Sequence, residues 1–386
     1  MTGRKLGLRK RIGLRLFSDL YAEKIAEHKL RTLFWECTLR CNLACRHCGS
    51  DCRVDPGVPD MPLADFLKVL DEEVTPHNRP EDVLLIFSGG EVLVRSDLEE
   101  AGREVTRRGY AWGMVTNGLA LDADCLRSLM DAGLRSISIS FDGFEDAHNY
   151  IRRNPRSFGK ALDAIRLIVR EPRLTYDVIT CVTSPMVARL GEFKELLIAE
   201  GVKYWRIFSI FPVGRAKDDP TLAVTDAQFR EVLEFIKRTR KEGRIDLSYA
   251  CEGFLGGYEG EVRDDFYQCA AGVSAASIRV DGAISGCTSI RPISIRGIFT
   301  GTVSGTCGRI ASTSSATANG PQRGVRRLQD VAFLSGRRYA PARRPGASDV
   351  LSLQAIAIVG NTIGERLSNR SLKLKIVPVR IIPTEH

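Results

Sequence analysis

Three cysteines share one short segment, Cys41-Asn-Leu-Ala-Cys45-Arg-His-Cys48, in a C-x3-C-x2-C spacing. Thiolates this close in sequence converge on one metal centre, and soft sulfur ligands suit iron–sulfur clusters or zinc. Structural zinc takes four protein ligands. Three regularly placed thiols instead leave one coordination position open for a substrate or cofactor. Cys37 and Cys52 flank the segment and offer a fourth ligand, which is the zinc alternative. Further along stand Ser88-Gly89-Gly90-Glu91, Thr116-Asn117-Gly118 and Ser136-Ile-Ser138-Ile-Ser140-Phe-Asp142-Gly143. Paired glycines let a backbone approach a ligand closely, and Glu91 offers an acceptor for an ammonium group.

The elements that must position these groups follow from apolar patterning. Short apolar runs at 32–36, 82–87, 111–116, 135–141, 175–182 and 203–210 predict buried strands. Helical stretches fall between them near 63–74, 96–108, 122–132, 158–170 and 187–199, with another at 225–240. Such alternation predicts an α/β fold with a parallel sheet, closed or nearly closed like part of a TIM barrel. Chemistry in such folds sits at the C-terminal ends of strands. The cysteine segment and the three polar motifs follow the first four strands and should share one mouth. Residues 1–30 predict a basic amphipathic helix, packed through Leu6, Leu8, Ile12, Leu16, Phe17 and Leu20.

Motif, order and spacing together resemble the radical S-adenosylmethionine (radical SAM) superfamily over residues 31–240. The resemblance implies a partial (β/α)6 barrel with a 4Fe–4S cluster on Cys41, Cys45 and Cys48. SAM would chelate the unique iron through its amino and carboxylate groups. It further assigns to the cofactor site His47 (before the last cysteine), Gly89, Gly90, Glu91, Thr116, Asn117, Ser140 and Arg152. Glu91 and the glycines would hold the methionine amine, and Ser140 and Arg152 the carboxylate or ribose. The implied chemistry is one-electron cleavage of SAM to methionine and a 5′-deoxyadenosyl radical that abstracts hydrogen from the substrate. The cofactor carries the hard step, while the protein supplies placement and exclusion of water. The implied partners are a peptide or protein substrate, as for maturases, and an electron donor such as flavodoxin or ferredoxin. No general base is assigned, although Asp142 and Glu145 lie on the same side of the barrel.

A second cysteine set follows. Cys269, Gly282 and Cys287 fit C-x12-G-x4-C, and Ile278-Arg-Val-Asp-Gly-Ala-Ile284 predicts a hairpin that brings the two cysteines together. This resembles the opening of a SPASM domain, a small α+β extension, over residues 241–291, and implies an auxiliary iron–sulfur cluster on Cys269 and Cys287. Cys251 is either a further ligand or a core residue, and Cys125 and Cys181 read as core. The C-x2-C-x5-C that the pattern requires downstream is absent, since only Cys307 remains.

Residues 292–386 form an irregular, basic tail. Read from the third base of each codon, residues 293–310 are compatible with Phe-His-Gln-Gly-Asn-Ile-Tyr-Arg-Asp-Ser-Phe-Trp, which resembles the Gly-Asn-Ile … Trp link of SPASM domains. Read from the second base, residues 324–344 are compatible with Cys-Gly-Asp-Cys-Lys-Thr-Leu-Pro-Phe-Cys, the missing ligand motif. The tail is therefore expected to be out of frame and disordered.

Charge supports the same division. Of 56 Lys+Arg and 47 Asp+Glu in 386 residues, 15 and 4 lie in 291–386, and the remaining 41 and 43 leave the body near neutral. The net charge of +9 thus belongs to the tail, whose arginines lack interleaved aromatics, so nucleic acid is not an expected partner. The alternatives kept open are a zinc- or nucleic-acid-binding protein using Cys37–Cys52 and the tail, and a catalytically inactive SAM-binding scaffold. No run of eighteen apolar residues predicts a membrane span. Eleven cysteines with no secretory signature predict reduced thiols in the cytoplasm.

Overall fold

The computed structural model describes residues 7–250, 253–288 and 297–298. Expectations for Leu6, Cys251, Cys307 and, apart from one two-residue strand, the tail at 292–386 lie outside these residues. Strand–helix alternation builds the body. Strands β1 (Thr32–Thr38), β2 (Leu84–Gly89), β3 (Ala111–Thr116), β4 (Leu134–Ser140), β5 (Thr175–Val182), β6 (Tyr204–Ser209) and β7 (Asp246–Tyr249) pair in parallel, in that order. Helices α2 (Leu63–Val69), α3 (Leu98–Arg107), α4 (Ala123–Asp131), α5 (Glu145–Arg152), α6 (Ser157–Ile168), α7 (Leu190–Ala199) and α8 (Asp226–Glu242) connect them. A capping box at Thr225 and Gln228 starts α8, and Gly243 ends it with φ +69°.

The sheet extends beyond the six strands expected. Besides β7, strand β8 (Ala275–Ile278) pairs in parallel with β1 at the opposite edge, in register Thr32↔Ala275. β9 (Ala283–Ser285) forms the expected hairpin with β8, and β10 (Gly297–Ile298) adds antiparallel to β9. The ten-stranded sheet runs from β10 to β7 without closing, which makes it a partial barrel.

The core lies between the strands' outer face and the helices. Trp35 on β1 stacks on Phe66 of α2 with centroids 4.0 Å apart, and Phe87 meets it edge-on. Trp112 fits against α3 because position 102 is glycine; a Cβ there would stand 2.5 Å from the indole. Trp35, Trp112 and Trp205 are fully buried. Each removes roughly 150–250 Å² from water, an upper bound of about 4–6 kcal/mol per side chain.

Helix α1 (Leu8–Glu27) forms as expected but packs through a different stripe. Gly13 and Phe17 lie against Phe266, Lys10 pairs with Glu261 at 2.6 Å, and the Tyr21 hydroxyl donates to the Cys269 carbonyl at 2.8 Å. Leu8, Ile12, Leu16 and Leu20, expected inside, are about half or more exposed. Residues 10, 13, 17 and 21 make a continuous stripe at helical spacing, and the specific polar and aromatic contacts along it fix the helix's rotation. Among the described residues, no helix is long and apolar enough to cross a membrane.

Candidate functional site

The cysteine segment leaves β1 and closes on itself. The Cys41 amide donates to the Arg53 carbonyl at 2.8 Å, and the Arg53 amide returns a bond to Leu39. Inside this closure Cys41, Leu43, Cys45 and Cys52 are buried together, with Cys48, Leu39 and Leu119 packed against them. All four cysteines are free thiols. Cys37, offered by the sequence as a fourth ligand, belongs elsewhere. It alternates to the helix-facing side of β1, joins the main core, and donates to the Ser88 carbonyl at 3.3 Å.

The residue that holds the loop in place carries no motif that would single it out in the sequence. The Arg215 guanidinium donates to the carbonyls of Cys45 (2.8 Å) and Cys52 (3.0 Å) and pairs with Asp51 at 2.7 Å. Its own amide donates to the Cys48 carbonyl at 3.0 Å. Gly214 makes this approach available: at φ +58°, a Cβ there would stand 2.4 Å from the Cys48 carbonyl oxygen.

Two N–H groups reach the sulfurs. Asn117 Nδ2 lies 4.0 Å from Cys41 Sγ and Arg152 Nη1 lies 3.8 Å from Cys45 Sγ. Burial pushes the Cys41 thiol up to about 12 and raises Cys45 as well. The neighbouring Cys48 and Cys52 side chains shift each other in opposite directions, lowering Cys48 and raising Cys52. Sulfur donors in an apolar pocket, with N–H groups directed at them, fit a thiolate-held metal cluster.

The polar strand ends meet this loop. Glu91, 1% exposed, accepts from Thr116 Oγ1 (2.7 Å), the Asn117 amide (2.8 Å) and the Leu93 amide (3.2 Å). Burial raises its pKa against these bonds. Gly89 and Gly90 serve backbone packing: a Cβ on either would stand 2.1 or 2.0 Å from the carbonyl oxygens of Thr38 or Arg40. They seat the end of β2 on the start of the cysteine loop.

After β4, Asp142 anchors a buried charge network. Its carboxylate accepts from Arg152 Nε at 2.7 Å and Nη2 at 2.6 Å, and from the Cys181 amide at 2.9 Å. Its own amide donates to His148 Nδ1, so His148 carries its proton on Nε2, toward Ser157. Burial alone would raise Asp142, but Arg152 above all holds it below the usual carboxylate range. His47 Nε2 lies 3.8 Å from Asp142. Burial depresses His47 to about 4, so it stands neutral near pH 7.

Cys181, expected in the core, joins this network from the lumen side of β5. His47, Asp142 and Cys181 have ligand atoms within 4.8 Å of one another. Arg152 already occupies the Asp142 carboxylate, which makes the trio part of a charge network rather than a cation site. Cys125 packs against the core as expected.

The structure thus brings together Cys41, Cys45, Cys48, His47, Glu91, Thr116, Asn117 and Arg152, with Gly89 and Gly90 beneath. Ser140, half-buried, ends β4 two residues before Asp142. Asp142 is fully engaged and Glu145 is exposed at the start of α5, so neither is presented as a free base. In the second set, Cys269 is exposed and Cys287 half-buried. Gly286 contacts the backbone of 271–272, which sets the segments that carry the two cysteines side by side.

Comparison with known proteins accords with this geometry. Residues 35–194 match the model of the Radical SAM superfamily. The AdoMet-dependent heme synthase of Methanosarcina barkeri is 30% identical over 223 residues, covering 57% of this chain and 62% of that protein. The PqqA peptide cyclase of Rhodopseudomonas palustris is 28% identical over 218 residues, 55% of this chain and 56% of the other. The chain spans a little over half the length of the curated relatives it matches. Among solved structures, Streptococcus suis SuiB bound to precursor peptide SuiA superposes with a TM-score of 0.54 at 12% identity, covering 72% of this chain and 66% of SuiB. That likeness establishes a shared fold.

Proposed function

We propose, from the radical SAM domain that residues 35–194 constitute, that this chain cleaves SAM reductively and modifies a peptide or protein side chain. The observation that carries the reading is the convergence of three free thiols, Cys41, Cys45 and Cys48, in one buried loop at the mouth of the open barrel. When bound there, a 4Fe–4S cluster supplies the electron that splits SAM into methionine and a 5′-deoxyadenosyl radical.

The chain's own residues set the conditions. Cys41 and Cys45, held protonated by burial, lose their protons to solvent as a metal binds the sulfurs, so loading is coupled to proton release. The N–H groups of Asn117 and Arg152 at two sulfurs favour the reduced, more negative state. A carboxylate has about four acceptor positions. Three of Glu91's are filled internally, leaving one for the methionine ammonium of SAM. Ser140 and Arg152 serve its carboxylate or ribose, and His47, neutral near pH 7, lines the same wall. Cys269 and Cys287 contribute to an auxiliary cluster. An external one-electron donor such as flavodoxin or ferredoxin and a reducing, cytoplasmic setting complete the scheme.

Likeness to a peptide cyclase, and to the fold of a protein crystallised with its precursor peptide, supports a peptide substrate. Likeness to heme synthases supports a second reading in which the substrate is a tetrapyrrole. The reconstituted chain, with dithionite and SAM under anaerobic conditions, should release 5′-deoxyadenosine, and Cys45→Ala should not. Stimulation by a precursor peptide favours the first substrate class and stimulation by an iron porphyrin the second. Absence of 5′-deoxyadenosine from a chain with a full iron complement would refute the activity.

A further inference from the structure

The cysteine loop holds one more thiol than its motif requires. Counting Cys52, the segment reads C-x3-C-x2-C-x3-C. Cys52 is 3% exposed and is buried in the same cluster as Cys41 and Cys45, with Cys48 packed against it. Its backbone is fixed from outside by Arg215 Nη1 on its carbonyl, and the Arg53 bridge closes the loop at the next residue. Cys37 shows what a packing thiol looks like in this chain: it lies among the aromatic side chains of the main core, bonded to a strand carbonyl. Cys52 instead packs within the loop's own cluster, with Cys41, Cys45 and Cys48.

We propose that Cys52 is the fourth protein ligand of the cluster in the SAM-free state and yields its place when SAM binds. The inference rests on the radical SAM reading above. Three cysteines serve three irons, and the fourth iron needs a ligand when no SAM is present. In that state Cys52 gives its proton to solvent and its sulfur bonds the fourth iron. On SAM binding that Fe–S bond breaks as the amine nitrogen and carboxylate oxygen of SAM bond the same iron. The released Cys52 thiolate takes up the proton that the SAM ammonium gives up as its nitrogen bonds the iron, and no electron is exchanged. Cys52 would thereby guard the open iron against loss until the cofactor arrives.

Full-length wild type, Cys52→Ala, Cys52→Ser and the remote control Cys125→Ala would be reconstituted anaerobically without SAM and treated briefly with ferricyanide. The EPR signal of the three-iron, four-sulfur product would then be quantified per chain, together with iron content. The expected result is a signal about tenfold larger in both Cys52 variants than in wild type or Cys125→Ala, the scale on which loss of a metal-site partner weakens retention. Saturating SAM added beforehand should erase the difference. Equal signals in all four proteins, with iron bound in each, would overturn the role of Cys52 and leave the radical SAM reading intact. A wild-type chain that takes up zinc but no iron would overturn both. Cys52→Ser keeps a side chain of similar size at the site, so a packing defect confined to Cys52→Ala is distinguished from loss of the ligand.

Discussion

Two regions of this molecule carry cysteine motifs, and they are built differently. The loop at 41–52 is enclosed: three of its four thiols are buried, its carbonyls are held by Arg215, and N–H groups of Asn117 and Arg152 reach its sulfurs. The segment at 269–287 is open by comparison. Cys269 is exposed, its carbonyl takes a hydrogen bond from half-buried Tyr21, and Cys287 follows a short hairpin at the sheet's edge. Their spacing differs, C-x3-C-x2-C against C-x12-G-x4-C, but spacing does not by itself enclose a site. What differs is the surrounding layer that orients ligands and controls their electrostatics, and that layer governs how firmly a metal is kept.

The comparison can be broken most severely at Asp142. Its replacement by alanine leaves Arg152 buried without its carboxylate partner, at a cost of about 3–5 kcal/mol. Denaturant unfolding should show that loss, and iron retention should fall with it because Arg152 no longer stays beside Cys45. A variant as stable as wild type would mean that the network does not organise the loop. Arg215→Ala should act more narrowly. It removes three side-chain bonds that tie residues 45–52 together, so iron retention against a chelator should drop about tenfold. Arg215→Lys should recover little, since one ammonium cannot reproduce the fork. Iron retention unchanged in both variants would remove Arg215 from the account.

Much of this was legible in the sequence because it is local. Six strands announced themselves as apolar runs, and the three cysteines proposed as ligands lie within eight residues. The pairing of β8 with β1 was not legible: Thr32 and Ala275 are distant in the chain, and no turn chemistry marks a parallel neighbour. Helix α5 is short and follows a loop, so its periodicity is weak. Arg215 is one arginine in a connection after β6, and only the folded chain brings it to Cys45 and Cys52. Cys181 looked like core because its strand is apolar on one face, yet alternation places it on the other, facing Asp142. The paired glycines, singled out for the cofactor, also admit the backbone at Thr38 and Arg40, a packing role that the sequence alone does not reveal.

The central claim is that the enclosed loop, and not the open one, holds the SAM-cleaving cluster. Iron and sulfide per chain, measured after anaerobic reconstitution and gel filtration, test it most directly in three proteins. Wild type should hold at least about four irons. A Cys41→Ala, Cys45→Ala, Cys48→Ala triple variant should lose about four of them together with 5′-deoxyadenosine formation. A Cys269→Ala, Cys287→Ala double variant should keep about four. A triple variant that retains the wild-type complement, or a double variant that loses all of its iron, would contradict the account.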